Sequence, residues 1–329
     1  MKMLGGETEA QSMQMPIDIT RPSPTVATVV IVTFNSSSTL PTCLSSIPPD
    51  CEVIIVDQRS SDDSREIARR VRPDALLIEN LVNTGYSVGC NLGAQHARAD
   101  ILIFLNPDAA FLSADGANLL AQATLNHNAL VAPKIFDIHS SDITLVRPWT
   151  NLRGKLCAVL LNSKPRLGFV DVFDSAYVSG PCLALSAQNF WAVGGFDERF
   201  FLYREEETLA RRLNKISVPC CLDARIKVSH VGGVSTSQMP EFSFQQGVRS
   251  DVLFFVTHFT PAKAALISLA LGARLLAIAL LLPILRYQYP SLKNISALCL
   301  LRAIKEIYNG WRAIPVQAPQ PKHPQITNM

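Results

Sequence analysis

The hydrophobic positions of this chain fall into two rhythms. Over the first 136 residues, short apolar and β-branched runs alternate with stretches of helical period. Residues 26–34 and 53–57 read as strands, Ser64–Val71 as a helix capped by Ser60 or Ser61, and 75–79 as a short strand. A helix over 88–98, a strand at Ile101–Leu105, a helix around 119–125 and an extended run at 131–136 follow. The five unbroken apolar residues at Ile101–Leu105 predict a strand buried on both faces. Alternation of this kind predicts an α/β fold with a largely parallel, doubly wound sheet. From 138 to 174 the pattern loosens, as in a long functional or partly disordered loop. It tightens again at 177–185, at 194–213 (GGFDERFFLYREEETLARRL) and in the segment reaching VSHVGG at 228–233.

The C-terminal part has a different texture. Residues 264–285 are almost wholly apolar, interrupted by Arg274 and Pro283. Residues 292–311 carry apolar side chains at 295, 298, 301, 304, 307, 308 and 311, one face of a helix. Charge follows the same division: the whole chain is +3, but from Pro261 onward there are eight Lys/Arg and one acid, so the tail is +7 and the body −4. A basic, apolar tail on a mildly acidic body suits a membrane surface better than nucleic acid, and no aromatic-interleaved basic patch suggests DNA or RNA. A spanning helix would set Arg274 near mid-bilayer at about 2.5–3.5 kcal/mol. An interfacial helix would let it snorkel, and packing on the body is the third possibility.

Composition adds limits. With 48% hydrophobic and 17% charged residues, 329 residues can bury a full core and leave apolar surface over. The eight cysteines show no CxxC spacing, and most lie in apolar segments, which predicts buried thiols in a reducing compartment. Residues 1–24 are polar and Met/Gln/Pro-rich without an apolar core, which predicts a disordered leader and no signal peptide.

The candidate chemistry gathers at strand ends. Asp108, in ILIFLNPD, stands where open α/β sheets place ligands, as a hard oxygen for Mg2+ or Mn2+ carrying a diphosphate or simply as a turn cap. Asp57 closes the second strand, facing a nucleobase or ribose or capping the next helix. Thr33-Phe34-Asn35 closes the first and could offer backbone N–H groups to a phosphate. Neither GxGxxG nor GxxxxGK[ST] follows that strand, which counts against dinucleotide-dependent dehydrogenases and P-loop enzymes. Gly85, Gly89 and Gly93 repeat every four residues, as close packing on a sheet would require, with Asn83 and Asn91 beside them as ligand contacts. Glu205-Glu206-Glu207 opens a helix, either as a cap favoured by the macrodipole or, behind Phe200, Phe201 and Tyr203, as the home of a general base. His230, trailed by Gly232-Gly233, is structural or a metal or phosphate contact.

Six segments in order, VVIVTFNS, VIIVDQRSSDDS, NTGYSVGCNLG, FLNPDA, GGFDERFFLYREEETLARRL and VSHVGGVS, together resemble glycosyltransferase family 2, and within it the bacterial rhamnosyltransferase-like branch. The match covers roughly residues 26–235. The resemblance implies the GT-A fold: a Rossmann-like mixed, mainly parallel sheet flanked by helices, here with a helical apolar tail. It also implies an inverting enzyme that uses a nucleotide-diphosphate sugar (dTDP- or UDP-linked, with rhamnose a candidate) and Mg2+ or Mn2+. Carried over residue by residue, Thr33 and Asn35 border the nucleotide and Asp57 with Gln58 faces its base. Asn106 and Asp108 form the DxD-type element, with Asp108 on the metal, and His230 contacts metal or diphosphate. Glu206 takes the place of the catalytic Asp, with Glu205 as the alternative base, and Thr208 stands where a second Asp is common. The implied organisation is a leader at 1–24, a catalytic domain at 25–260 and a membrane-associated region at 261–329. A glycan or lipid-linked acceptor and a peripheral position on the cytoplasmic face of the membrane complete the expectation. Two rivals remain. A silent sugar-nucleotide-binding or scaffold member is suggested by Glu206 and Thr208. A nucleotidyltransferase would need a Gly-rich basic loop after the first strand, which VTFNSSSTLP lacks.

Overall fold

The computed structural model describes residues 26–137, 140–143, 146–161, 172–173, 176–178, 180–288 and 296–313. The predicted leader at 1–24 lies outside them. In chain order the elements are β1 (Thr28–Thr33), α1 (Leu40–Ser45), β2 (Glu52–Asp57), α2 (Ser64–Val71), β3 (Leu76–Glu79), α3 (Tyr86–Gln95), β4 (Ile101–Leu105), β5 (Ala109–Phe111), α4 (Gly116–His127) and β6 (Leu130–Asp137). Then come β7 (Ser140–Ile143), β8 (Val146–Pro148), α5 (Leu152–Leu161), β9 (Val172–Phe173), β10 (Ala176–Val178), β11 (Cys182–Ser186), α6 (Ala187–Ala192), α7 (Glu205–Lys215) and β12 (Cys220–His230). Four helices close the described chain: α8 (Val234–Ser237), α9 (Pro240–His258), α10 (Pro261–Gln288) and α11 (Ala297–Arg312).

The main sheet runs β3-β2-β1-β4-β11-β6-β12-β5. Its β3-β2-β1-β4 half is parallel, and β12 is parallel to β6. Strand β11 lies antiparallel between β4 and β6, so the sheet is mixed, as expected for the GT-A fold. Because β11 is antiparallel to both of its neighbours, β6 and β12 point the same way as β1, β2, β3 and β4, and six strands deliver their carboxyl ends to one edge. The period of two sorts the β1 side chains: Val29 and Ile31 pack with α1, α2 and α4, whereas Val30 and Val32 pack with α3, α6 and α7. All six residues of β1 and all five of β4 are buried, which is why both read as unbroken apolar runs.

Most predicted elements stand within two to four residues of their expected bounds. The helix expected at 88–98 begins and ends earlier, at Tyr86–Gln95, because Gly85 (φ +94°) turns the chain into it. The irregular stretch 138–174 contains β7, β8, α5 and β9, with residues 149–151 joining β8 to α5 and the rest outside the described residues. The pattern named no element at 240–258, where α9 lies. That helix buries Ser243, Gln246, Arg249 and Ser250 along with its apolar residues, so polarity does not mark its inner face.

Helix α10 is long and apolar enough to cross a membrane, with Pro261–Leu282 at a mean hydropathy of 2.4. One stripe, Ala264, Ile267, Leu271 and Leu275, is buried against α5, α9 and α11, while Leu269, Leu276 and Leu280 face outward. Arg274 turns inward: its Nη1 donates to the carbonyls of Ala158 (3.1 Å) and Val159 (2.9 Å) near the end of α5. A cation suits that position by complementing the helix dipole, so the charge is satisfied within the protein.

Gly89 and Gly93 do press α3 onto the sheet. A Cβ at Gly89 would lie 2.7 Å from a Val32 methyl, and one at Gly93 would overlap a Val30 methyl. Val30 is stiff and central, so Gly93→Ala should cost about 1–3 kcal/mol of unfolding free energy in urea denaturation. An unchanged midpoint would show that α3 is free to move away.

Candidate active site

The carboxyl edge of the sheet floors an open cleft of about 720 Å3. Strand pairing builds its first polar couple. In the β5–β12 ladder His230 lies opposite Ala109, and the Val231 N–H donates to the Asp108 carbonyl (3.0 Å). That register brings His230 Nε2 to 3.3 Å from Asp108 Oδ1, both side chains being mostly buried. The turn between β4 and β5 is tied across the sheet, where the Asn106 N–H donates to the Pro181 carbonyl (2.7 Å). Asn106, Pro107 and Asp108 all line the cleft.

The second group is the first turn of α7. Of its three acids, only Glu207 is neutralised. Its carboxylate pairs with Arg204 (2.9 Å) and Arg211 (3.0 Å) and accepts from the Thr150 N–H (2.8 Å) and hydroxyl (2.7 Å). Glu205 is buried, with Oε2 unpartnered among the described residues. Glu206 is half-buried and accepts from the Gly180 N–H (3.1 Å). Burial and, for Glu205, the charge of Glu206 hold both carboxyls well above the usual glutamate range. Arg147 and His230 pull Glu206 partly back down. Two successive residues at φ +71°, Tyr203 and Arg204, set the helix start. Such backbone costs on the order of 1–3 kcal/mol per residue and needs clamping. Ser250 Oγ grips the Leu202 carbonyl (2.7 Å), and Arg204 binds Asp251 of α9 (2.7 Å) as well as Glu207.

The predicted residues divide accordingly. Thr33, Gln58, Asn83, Asn106, Asp108, Glu205, Glu206 and His230 share the cleft wall. Thr33 Oγ1 is buried there without a partner among the described residues. Gln58 spans from the Gly85 carbonyl (2.9 Å) to the Thr84 N–H (3.0 Å), which fixes its side chain in the wall. The structure does not bring Asn35, Asp57 or Asn91 into that wall. Asn35 Oδ1 accepts from the Ser61 N–H (2.7 Å), and Asp57 Oδ2 from the Ser60 N–H (2.9 Å). Asn91 brackets Phe196, accepting from its N–H and donating to its carbonyl (2.9 Å each). These three brace the loops behind the cleft. Thr208 is buried and faces His258 (3.3 Å) rather than the cleft. The sequence pattern gives no sign of Arg147, which lies in the loosened stretch 138–174, or of Gly180, which acts through its backbone N–H rather than a side chain.

Comparison with known proteins agrees with this geometry. The family model described as "Glycosyl transferase family 2" matches residues 28–193. An N-acetylglucosaminyl-diphospho-decaprenol L-rhamnosyltransferase of Mycobacterium tuberculosis is 28% identical over 256 residues, covering 70% of this chain and 83% of that protein. A low-salt glycan biosynthesis hexosyltransferase of Haloferax volcanii is 25% identical over 202 residues, covering 58% of this chain and 62% of that protein. Among solved structures, a mannosyltransferase of Pyrobaculum calidifontis in complex with GDP-Man and Mn2+ superposes with a TM-score of 0.50 at 15% identity, covering 90% of this chain and 91% of that one. This likeness shows the fold.

The raised carboxyls have a consequence for stability. In the unfolded chain Glu205 ionises near its ordinary value of about 4.3, whereas in the fold it keeps its proton to higher pH. The native state therefore binds more protons than the unfolded state above that value, and stability falls as pH rises through the window. Glu205→Gln should thus match wild type at pH 5 and exceed it at pH 8 by on the order of 1–3 kcal/mol in chemical denaturation. Equal stability at both pH values would contradict the burial assigned to this carboxyl.

Proposed function

The chain belongs to glycosyltransferase family 2, and from that premise we propose that it is an inverting sugar transferase acting on a nucleotide-diphosphate donor and a lipid-linked glycan acceptor. One observation carries the reading: the Asp108–His230 couple and the Glu205–Glu206 pair line one cleft at the carboxyl edge of the sheet. The mycobacterial and archaeal relatives favour a hexosyl, and specifically rhamnosyl, group and a diphosphate-lipid acceptor.

The donor set fits a divalent cation completed by substrate. Asp108 offers a hard oxygen and His230 an imidazole beside it, whereas no cluster of three or more His, Cys, Asp or Glu ligands occurs among the described residues. Mg2+ and Mn2+ are commonly held by one or two protein groups with phosphate oxygens and water supplying the rest. Asp108 and His230 would hold the ion, which when bound neutralises charge on a departing diphosphate. Thr33, Gln58 and Asn83 border the nucleotide in this reading, and Asn106 the diphosphate.

Glu206 is the base. It is the more exposed of the raised pair and has Arg147 and His230 near it. It takes the proton of the acceptor hydroxyl as that oxygen forms its bond to the sugar carbon. The bond to the diphosphate oxygen breaks with its electrons leaving on the nucleotide, so configuration inverts and no sugar–enzyme bond forms. Glu205, buried behind it, keeps its proton to higher pH, held up by burial and by the charge of Glu206.

Attachment to a lipid surface belongs to the same reading. The outward face of α10 (Leu269, Leu276, Leu280) and that of α11 (Leu298, Leu301, Tyr308, Trp311) are apolar, with Lys263, Arg302, Lys305 and Arg312 on the same helices. A peripheral position on the cytoplasmic face, where nucleotide sugars are made, is the corresponding location.

Nucleoside-diphosphate release from a panel of dTDP- and UDP-sugars with Mn2+ tests the activity. Wild type should turn over at least one donor, and Asp108→Ala should lose at least a hundredfold of that rate, in line with removal of a single electrostatic stabiliser. Binding of donors without any turnover would instead favour the silent sugar-nucleotide-binding reading. In vesicle flotation with anionic lipid, the triple change Leu269→Gln, Leu276→Gln, Leu280→Gln should release the protein while leaving its melting temperature unchanged. Continued flotation would place attachment elsewhere.

A further inference from the structure

A second cavity, of about 870 Å3, adjoins the catalytic cleft. The two share Tyr203, Arg204, Gly233, Thr236 and Ser243 in their walls, so they meet around the entry to α7. None of the residues given a role in donor binding or proton transfer lines the second cavity, and the chemistry proposed above leaves it unused.

Its walls have two characters. Leu271, Leu275 and Ile278 of α10, Phe244 and Val248 of α9 and Leu300 of α11 make an apolar lining. Beside Arg204 the lining is charged. Lys155 is bonded to Asp251, Asp251 is bonded to Arg204 (2.7 Å), and Arg274 donates to the α5 carbonyls. Lys155, Arg204 and Arg274 line this wall with Asp251 as its acid, and Glu207, which also pairs with Arg204, is shared with Arg211, so cations outnumber acids here among the described residues. A nucleotide has no use for the leucine wall, and a water-soluble glycan would leave it wet. The complementary occupant is an amphiphile with an anionic head and a branched hydrocarbon chain. The helix that forms the apolar wall is also the one whose outer face carries the exposed leucines Leu269, Leu276 and Leu280.

We propose that this cavity is the acceptor site, holding the isoprenoid segment next to the diphosphate of a lipid-linked acceptor, with a phosphate at the Arg204–Lys155 cluster and the chain along α10. The inference rests on the transferase reading and assigns its second substrate to residues outside the cleft. The sugar to be extended would then lie at the shared wall, next to Glu205 and Glu206.

Gly247 of α9 gives a direct handle, because it lines this cavity and not the cleft. A Cβ there would touch only the Tyr203 ring, at an ordinary 3.8 Å, so a larger side chain starts without collision and grows into the void. Replacing a helix-interior glycine also favours the helix. The experiment is calorimetric titration of wild type and Gly247→Trp with farnesyl diphosphate, with sodium diphosphate and farnesol as partial probes and UDP plus Mn2+ as the control. Farnesyl diphosphate should bind wild type more tightly than either partial probe. Gly247→Trp should weaken it at least about tenfold, or 1.4 kcal/mol, and keep UDP affinity. Undiminished farnesyl diphosphate binding in Gly247→Trp overturns the proposal, as does equal wild-type affinity for sodium diphosphate or for farnesol. Should Gly247→Trp lose UDP binding as well, Ile278→Trp, from the opposite wall, decides by the same comparison. A failure of the transferase reading is separable, since it shows as absent donor turnover whether or not the cavity binds the prenyl probe.

Discussion

Desolvation of carboxylates at the start of one helix is the constraint around which this protein is arranged. Three consecutive glutamates enter a low-dielectric wall, where an isolated charge costs several kcal/mol. Glu207 is compensated by Arg204 and Arg211, but Glu205 and Glu206 are given no cation at bonding distance among the described residues. The helix N-terminus offsets part of that cost, and the rest is retained as raised proton affinity. A chain selected only for stability would place Gln there. Retaining the acids needs a rigid frame, and the frame is visible: left-handed Tyr203 and Arg204, the Arg204–Asp251–Lys155 chain, and α9 behind them.

The Asp108–His230 side of the cleft depends on strand register instead. Asp108 lies just outside a three-residue strand, and a slip of one residue in the β5–β12 pairing would turn its neighbours to the other face. The irregularity in β12 between Asp223 and Lys227 lets that long strand follow β6 along most of its length and still end with His230 opposite Ala109. The Glu205–Glu206 pair and the Asp108–His230 couple are thus positioned by different devices, a clamped helix and a sheet edge.

How much of this was legible in the chain follows from which contacts are local. Strands β1, β2 and β4 declared themselves because burial on both faces leaves an unbroken apolar run, and the spacing of Gly89 and Gly93 announced close helix–sheet packing. Asp108, Glu206 and His230 were visible as polar punctuation after such runs. What escaped depends on long-range placement: Arg147 acts on the charge of Glu206 from an aperiodic stretch, and α9 buries too many polar groups to show a stripe. Asn35, Asp57 and Asn91 illustrate the converse. The strand-end positions of Asn35 and Asp57 and that of Asn91 beside a glycine face resemble those of ligand contacts, yet hydrogen bonds to Ser61, Ser60 and Phe196 hold the three behind the cleft. Arg274 resembled an obstacle to a membrane-spanning helix and proves to be a helix-end contact on α5.

The central claim is that two protein ligands and a substrate diphosphate together make the cation site of this cleft. Titration of the full chain with Mn2+, followed by electron paramagnetic resonance of the free ion, tests it most directly. With UDP present the protein should take up one Mn2+ per chain, and without nucleotide uptake should be far weaker, because Asp108 and His230 alone leave most of the coordination shell to water. Mn2+ bound equally well with and without nucleotide, or not bound even with UDP, would contradict the account.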